Sequence, residues 1–167
     1  MVTATRSAWE LASEVPDPEL PMVTLADLGI LRGVHQDGAA VTVTITPTYS
    51  GCPAMREISR DLQHRLEQAG FTDVTVRTEL SPPWSSDWIT DDGRRKLSTA
   101  GIAPPNPAAC HAGGPVPLTL LAPNRNVACP RCGSTRTSPT AQFSGTACKA
   151  LYRCEKCREP FEYVKEI

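Results

Sequence analysis

The sequence predicts an α/β protein: a small α/β layer domain with a mixed sheet and a βαβ unit, followed by a zinc-ribbon domain. Three observations carry that reading. Val41, Val43 and Ile45 alternate with Thr42, Thr44 and Thr46, the two-residue period of a half-buried strand. Met55, Ile58, Leu62 and Leu66 then recur at helical spacing on one face. Two C-x2-C pairs, "CPRC" at 129–132 and "CEKC" at 154–157, stand near the end.

The elements follow in order. Residues 5–14 suit a short helix, ended by the loop "PDPELP" at 16–21, where Pro16, Pro18 and Pro21 forbid its continuation. Ile30–His35 reads as a strand, and Asp37-Gly38 marks a hairpin turn into the strand that ends near Thr46. A helix runs from Pro53 to Ala69, with Gly70 just past its end, where glycine is favoured. Asp73–Leu80 forms the next strand, with Val74, Val76 and Leu80 on one side, and "SPPW" at 81–84 stops it. Strand, helix, strand over 41–80 makes a βαβ unit, so the two strands are expected parallel with a right-handed crossover. A short helix over Asp91–Ala100 is expected to pack on this layer.

From Ala103 to Pro117 the composition changes: five prolines and Gly113-Gly114 fall within fifteen residues, which is linker chemistry. The expected organisation is a first domain over 1–102, a Pro/Gly-rich linker over 103–125 and a zinc ribbon over 126–167. Charge supports the division. Residues 1–100 carry 9 Lys/Arg against 14 Asp/Glu, and residues 101–167 carry 8 against 4, within a chain of net charge −1. No apolar run approaches the roughly 18 residues of a membrane span, and the start lacks the apolar stretch of a signal peptide. The chain is therefore expected to be cytoplasmic, where thiols stay reduced. Seven cysteines then point to metal or reactive thiols rather than to disulfides.

The paired knuckles give the clearest chemistry. Each C-x2-C turn presents two sulfurs to one ion, so Cys129, Cys132, Cys154 and Cys157 complete a tetrahedron around Zn2+. Four protein ligands leave no open position, which makes the site structural. A unit this small cannot bury enough apolar surface unaided, and the metal supplies its core. Four thiolates with one Zn2+ add −2, which weakens any nucleic-acid reading of Lys149, Arg153, Lys156 and Arg158; a solvated basic face is the plainer account. Cys148 is open between a core cysteine, an alternative ligand and a functional thiol. Cys110-His111 in the linker is either idle coil or a pair of soft ligands.

Cys52, in "TPTYSGCPAM", is different. With Pro53 as the first helical residue, Cys52 becomes the N-cap, facing unpaired amides and the positive end of the helix dipole. Such a position favours thiolate over thiol. It lies past the carboxyl end of a strand, the edge at which open α/β sheets bind ligands. "SPPWSSDW" should reach the same edge, making Trp84, Asp87 and Trp88 candidate neighbours. The alternative is a small cap residue standing where serine could. No hydrolase triad, phosphate loop, dinucleotide fingerprint or HExxH accompanies it, and the three histidines, His35, His64 and His111, are scattered. Nothing resembles a self-sufficient enzyme.

"DPELPMVTLADLG" at 17–29, "TPTYSGCPA" at 46–54, "DWIT" at 87–90 and "CPRCGS…SGTACKALYRCEKCREPFEY" at 129–163 resemble the PaaD family of the bacterial phenylacetate pathway. The first domain is similar to SufT-type iron–sulfur assembly proteins. The resemblance implies an accessory protein of the phenylacetyl-CoA epoxidase, a multicomponent di-iron oxygenase, acting in cluster assembly or delivery. Its implied partners are epoxidase components, foremost the iron–sulfur reductase subunit; its implied cofactors are structural Zn2+ and a transient iron–sulfur cluster or iron. Cys52 is the implied cluster-handling thiolate, with Asp17, Glu19, Asp27, Thr46 and Thr48 as companions. An integral subunit of the oxygenase is the alternative role, and a zinc-ribbon nucleic-acid module is a third. One departure stands out: many relatives carry a further cysteine near the C-terminus, where this chain has Glu166.

Overall fold

The computed structural model describes residues 6–106 and 127–166, which divide into two compact units, up to Lys96 and from Leu97 onward. Cys110, His111 and most of the expected linker lie outside the described residues.

In the first unit, helix α1 (Ala8–Ser13) starts at a reciprocal cap. The Ser7 side chain accepts from the Glu10 amide, and the Glu10 carboxylate accepts from the Ser7 amide at 2.7 Å. That cap sets the start of the helix, which buries Ala8, Leu11 and Ala12. Strands β1 (Leu31–Asp37) and β2 (Ala40–Ile45) form the expected antiparallel hairpin, and β3 (Asp73–Thr78) pairs with β2 in parallel. The sheet order β1-β2-β3 is therefore mixed, as the βαβ reading requires. Between β2 and β3 runs α2 (Met55–Gln68), which buries Ile58, Leu62 and Leu66. Val41, Val43 and Ile45 are at most 2 % exposed. Of their partners, Leu31 on β1 is buried and Val34 on β1 and Val74 and Val76 on β3 are half-buried, while Gln36 and Thr78 at the ends are exposed.

Several bounds differ from expectation. The third strand ends at Thr78, and Leu80, expected on its apolar side, lies beyond it and is 56 % exposed. The helix expected from Pro53 begins instead at Met55 with Ala54 as its N-cap, a change that matters for Cys52. A short 3-10 turn, Ser86–Trp88, leads into α3 (Asp91–Thr99).

The second unit is built on one sheet of order β4-β7-β6-β5. Here β5 is Thr137–Ala141, β6 Lys149–Cys154 and β7 Pro160–Val164, antiparallel in series. Strand β4, Ile102–Ala103, joins β7 in parallel. Composition alone ends the first domain at 102 and opens the linker at 103. Two apolar residues before a proline run instead complete the ribbon's sheet, and Ala103 enters its core. That core also holds Val127, Ala150, Tyr152, Phe161 and Tyr163 together with Cys129 and Cys154. Tyr152 meets Tyr163 edge-on, with ring centroids 5.3 Å apart.

Candidate functional site

Two cysteine sites are expected, one in each unit. In the ribbon, β6 ends at Cys154 and a turn carries Cys157; the other pair precedes β5. The four sulfurs of Cys129, Cys132, Cys154 and Cys157 all lie within 4.8 Å of one another. Cys129 and Cys157 Sγ are 3.7 Å apart, and Cys132 and Cys154 Sγ 3.6 Å. A tetrahedron with metal–sulfur bonds of about 2.3 Å needs sulfurs roughly 3.8 Å apart. The donor set thus fits Zn2+ in both number and spacing.

Electrostatics argue the same way. The amide of Cys157 points at Cys154 Sγ, 3.5 Å away, and helps lower the Cys154 thiol to about 6 despite its burial. A hydrogen bond from the Glu159 backbone pulls Cys157 down too, but burial and three neighbouring sulfurs outweigh it and push the thiol up to about 12. Four sulfurs this close cannot all ionise alone; a divalent cation removes the conflict.

Cys148 lies outside this cluster. It is half-buried, its Sγ 3.1 Å from Thr146 Oγ1, and its carbonyl accepts from the Lys165 amide. Of the basic residues expected to share a face, Arg153, Lys156 and Arg158 are exposed. Lys149 is buried and bonds Glu162 at 2.9 Å, while Arg131 and Arg136 face Glu159 and Glu155. Ser144 also bonds Glu162, and the two partners hold its carboxyl below the usual range although burial works against them. Glu166 accepts from the Tyr163 hydroxyl at 2.8 Å.

The Cys52 loop occupies the carboxyl end of β2. Thr46 is buried, and its amide bonds Ile30 O at 2.9 Å. Thr48 and Cys52 are half-buried, and Gly51 lies under the Tyr49 ring. Cys52 is not the N-cap: its carbonyl accepts from Met55 N–H, forming a turn that precedes the helix by one step. Pro53 and Ala54 belong to that turn, so the expected dipole argument loses its geometry. Ala54 offers no side-chain acceptor, and α2 starts without a side-chain cap.

Asp17 and Asp27 accept hydrogen bonds within their own loop. Asp17, 6 % exposed, accepts from the amides of Glu19 and Leu20 at 2.9 and 2.8 Å and so fixes its own loop. Asp27 accepts from Thr24 N–H at 2.9 Å while its own amide bonds Thr24 Oγ1. The Lys96 ammonium lies 2.7 Å from the same carboxylate. Burial pushes the Asp27 carboxyl up, but Lys96 and the Thr24 amide outweigh it and hold it below its usual range. Lys96 is not legible in the sequence as a partner of Asp27, since nothing marks a pairing across 69 positions.

Trp84 and Trp88 pack on the segment 28–32. Trp84 Nε1 donates to Leu28 O at 2.9 Å, and the Arg32 guanidinium lies 3.5 Å over the Trp88 ring. Gly29 has φ +68°, and a Cβ there would come 2.5 Å from Trp88 Cβ, so only glycine admits this packing. Asp87 is exposed, with its amide on Ser85 Oγ.

Comparisons with known proteins agree with both halves. An iron–sulfur cluster assembly protein family matches residues 9–77, and the PaaD zinc beta ribbon domain family matches residues 113–165. A relative from Escherichia coli (strain K12), named for a subunit of 1,2-phenylacetyl-CoA epoxidase, is 45% identical over 95% of this chain and 91% of its own. An Fe-S protein maturation auxiliary factor of Porphyromonas gingivalis is 35% identical over 50% of this chain and 80% of its own. The crystal structure of a DUF59 domain from Bacillus anthracis, 27% identical, covers 54% of this chain and 87% of its own with a TM-score of 0.50. A mixed-sheet assembly domain and a four-cysteine ribbon, matched together along nearly the whole length, place this chain in the PaaD family.

Proposed function

We infer that this protein is an accessory factor of a phenylacetyl-CoA epoxidase, assisting the assembly or delivery of an iron–sulfur cluster to that enzyme. One observation carries the reading: a single chain joins an iron–sulfur assembly domain to the PaaD ribbon and is 45% identical to a relative named for a subunit of that epoxidase. The cluster, or iron, is cargo in this account. Cys52 supplies the thiolate that holds it, on a half-buried loop whose base is fixed by Thr46 and Ile30. Asp17 and Asp27 shape the neighbouring loop, Asp17 Oδ1 by accepting from two amides and Asp27 Oδ2 by accepting from the Thr24 amide and Lys96. Zn2+ occupies the four-sulfur centre and gives the ribbon its fold. The client is the epoxidase component that carries a cluster, the iron–sulfur reductase subunit, and the setting is the reducing cytoplasm. Among the described residues no helix is long and apolar enough to cross a membrane.

The test is to produce the epoxidase components with and without this protein and to measure the reductase's iron and sulfide. The expected result is a cluster-deficient reductase in its absence, with the polypeptide itself folded. A fully loaded reductase in both preparations overturns the reading. The relative's name, which makes it a subunit, favours a second account, integral membership of the oxygenase. Stoichiometric co-purification with the active enzyme distinguishes it, because a delivery factor leaves once the cluster is placed.

A further inference from the structure

The two knuckles of the ribbon are related position by position, and the relation breaks at one residue. In the first, the Cys129 amide bonds Ser134 O and the Gly133 amide bonds Cys129 O, both at 2.9 Å. The second repeats the outer bond, from the Cys154 amide to Glu159 O at 2.9 Å. The residue four places after the leading cysteine is left-handed in both, with φ +69° at Gly133 and φ +67° at Arg158. Glycine adopts that conformation freely, whereas an L side chain brings its Cβ against the following carbonyl. Among the described non-glycine residues, Arg158 alone has a positive φ. The turn itself is repeated, over 130–132 and again over 155–157, and in the second the Cys157 amide also points at Cys154 Sγ, 3.5 Å away. The second knuckle is therefore the strained one of the two, at Arg158.

Each knuckle places its leading sulfur inside, with Cys129 1 % and Cys154 0 % exposed, and its trailing cysteine, Cys132 or Cys157, toward the surface. The backbone is what tells them apart. We propose that the ribbon's metal centre opens through the Cys154–Cys157 knuckle, with Cys157 the first sulfur to leave the metal and the last to return. The strain at Arg158 is released when the turn opens, which lowers the barrier on that side. The Gly133 turn and the two buried sulfurs hold the ion meanwhile. Metal exchange is then a property of one end of the ribbon, set by a single residue that binds no metal.

The full-length zinc protein mixed with excess 4-(2-pyridylazo)resorcinol reports zinc release by absorbance. R158G should slow that release roughly five- to thirtyfold at unchanged zinc stoichiometry, the factor corresponding to relief of a left-handed L residue. Independently, brief iodoacetamide treatment of the wild-type zinc protein, followed by peptide mapping, should label Cys157 ahead of Cys132. A release rate in R158G within about twofold of wild type overturns the proposal. So does labelling that starts at Cys132, or that proceeds equally at both.

Discussion

The two sheets of this protein bury themselves by different means. The first is covered on one face by α1 and α2, and its centre is aliphatic: Val41, Val43, Ile45, Ile58, Leu62 and Leu66 are almost wholly removed from water. In the second, residues 127–166 contain strands and turns only, and two of the buried core side chains are cysteines that face a metal centre. Removing solvent from helix-backed valine and leucine needs no cofactor. A small sheet with no helix of its own must close its core with the ion. Cysteine accordingly plays opposite parts. It is a structural element in the ribbon, and in the first unit it sits half-buried on the loop at the carboxyl end of β2.

Stripping the metal should break the comparison open most widely. Excess chelator under reducing conditions is expected to abolish hydrogen-exchange protection over 149–164 while 31–45 and 55–78 keep theirs. Protection lost together in both units would show one shared core. The reciprocal variant is Leu62→Ala, which removes a fully buried side chain and should cost the first unit about 2–5 kcal/mol. Zinc content should not change, as metal analysis of the purified variant would show.

A smaller effect is expected at the Asp27–Lys96 pair, which is partly buried, with side chains 12% and 33% exposed. Lys96→Met should cost about 1–2 kcal/mol, between the exposed and buried limits for ion pairs. The sign with pH follows from Asp27, whose carboxyl is held below its usual 3.8. Its contribution is present above that unfolded value and is lost as pH falls through the lower folded one. Melting curves of wild type and Lys96→Met should therefore converge in acid. Smallest of all is Ser86→Ala. Ser86 is 1 % exposed, and its hydroxyl is the buried side-chain oxygen without a hydrogen-bond partner among the described residues. Its removal should leave stability unchanged or raise it by up to about 1 kcal/mol, whereas a clear loss would reveal a hidden partner.

The first sheet is legible in the sequence because its burial follows period. Valine and threonine alternation marks β2, and the Ile58–Leu62–Leu66 stripe marks α2 and hence the parallel pairing of β3. The metal centre is legible because ligand spacing is a local property of the chain. Strand β4 is not, since two residues carry no period and gain their role only by pairing with β7 far along the chain. The helix start at Pro53 misleads for a related reason. Proline permits a first helical turn, but here it lies in the preceding turn that Cys52 O closes with Met55 N–H. Asp17 and Asp27 look like functional acids in the sequence. The amide bonds to Asp17 Oδ1 and Asp27 Oδ2 and the Lys96 contact are not legible there, because a loop's internal hydrogen bonds leave no pattern in sequence.

The measurement that bears most directly on the account is Cys52→Ser in the full-length protein, assayed for support of phenylacetate growth in cells lacking the wild-type copy, beside melting and zinc analysis of the purified variant. Serine keeps the size and polarity of the side chain on this half-buried loop, so the melting temperature and the single zinc should be those of wild type. Its hydroxyl stays protonated at neutral pH and is a poor iron ligand, so growth should fail. A stable, zinc-loaded Cys52→Ser protein that restores growth in full would contradict the division of labour between the two cysteine sites.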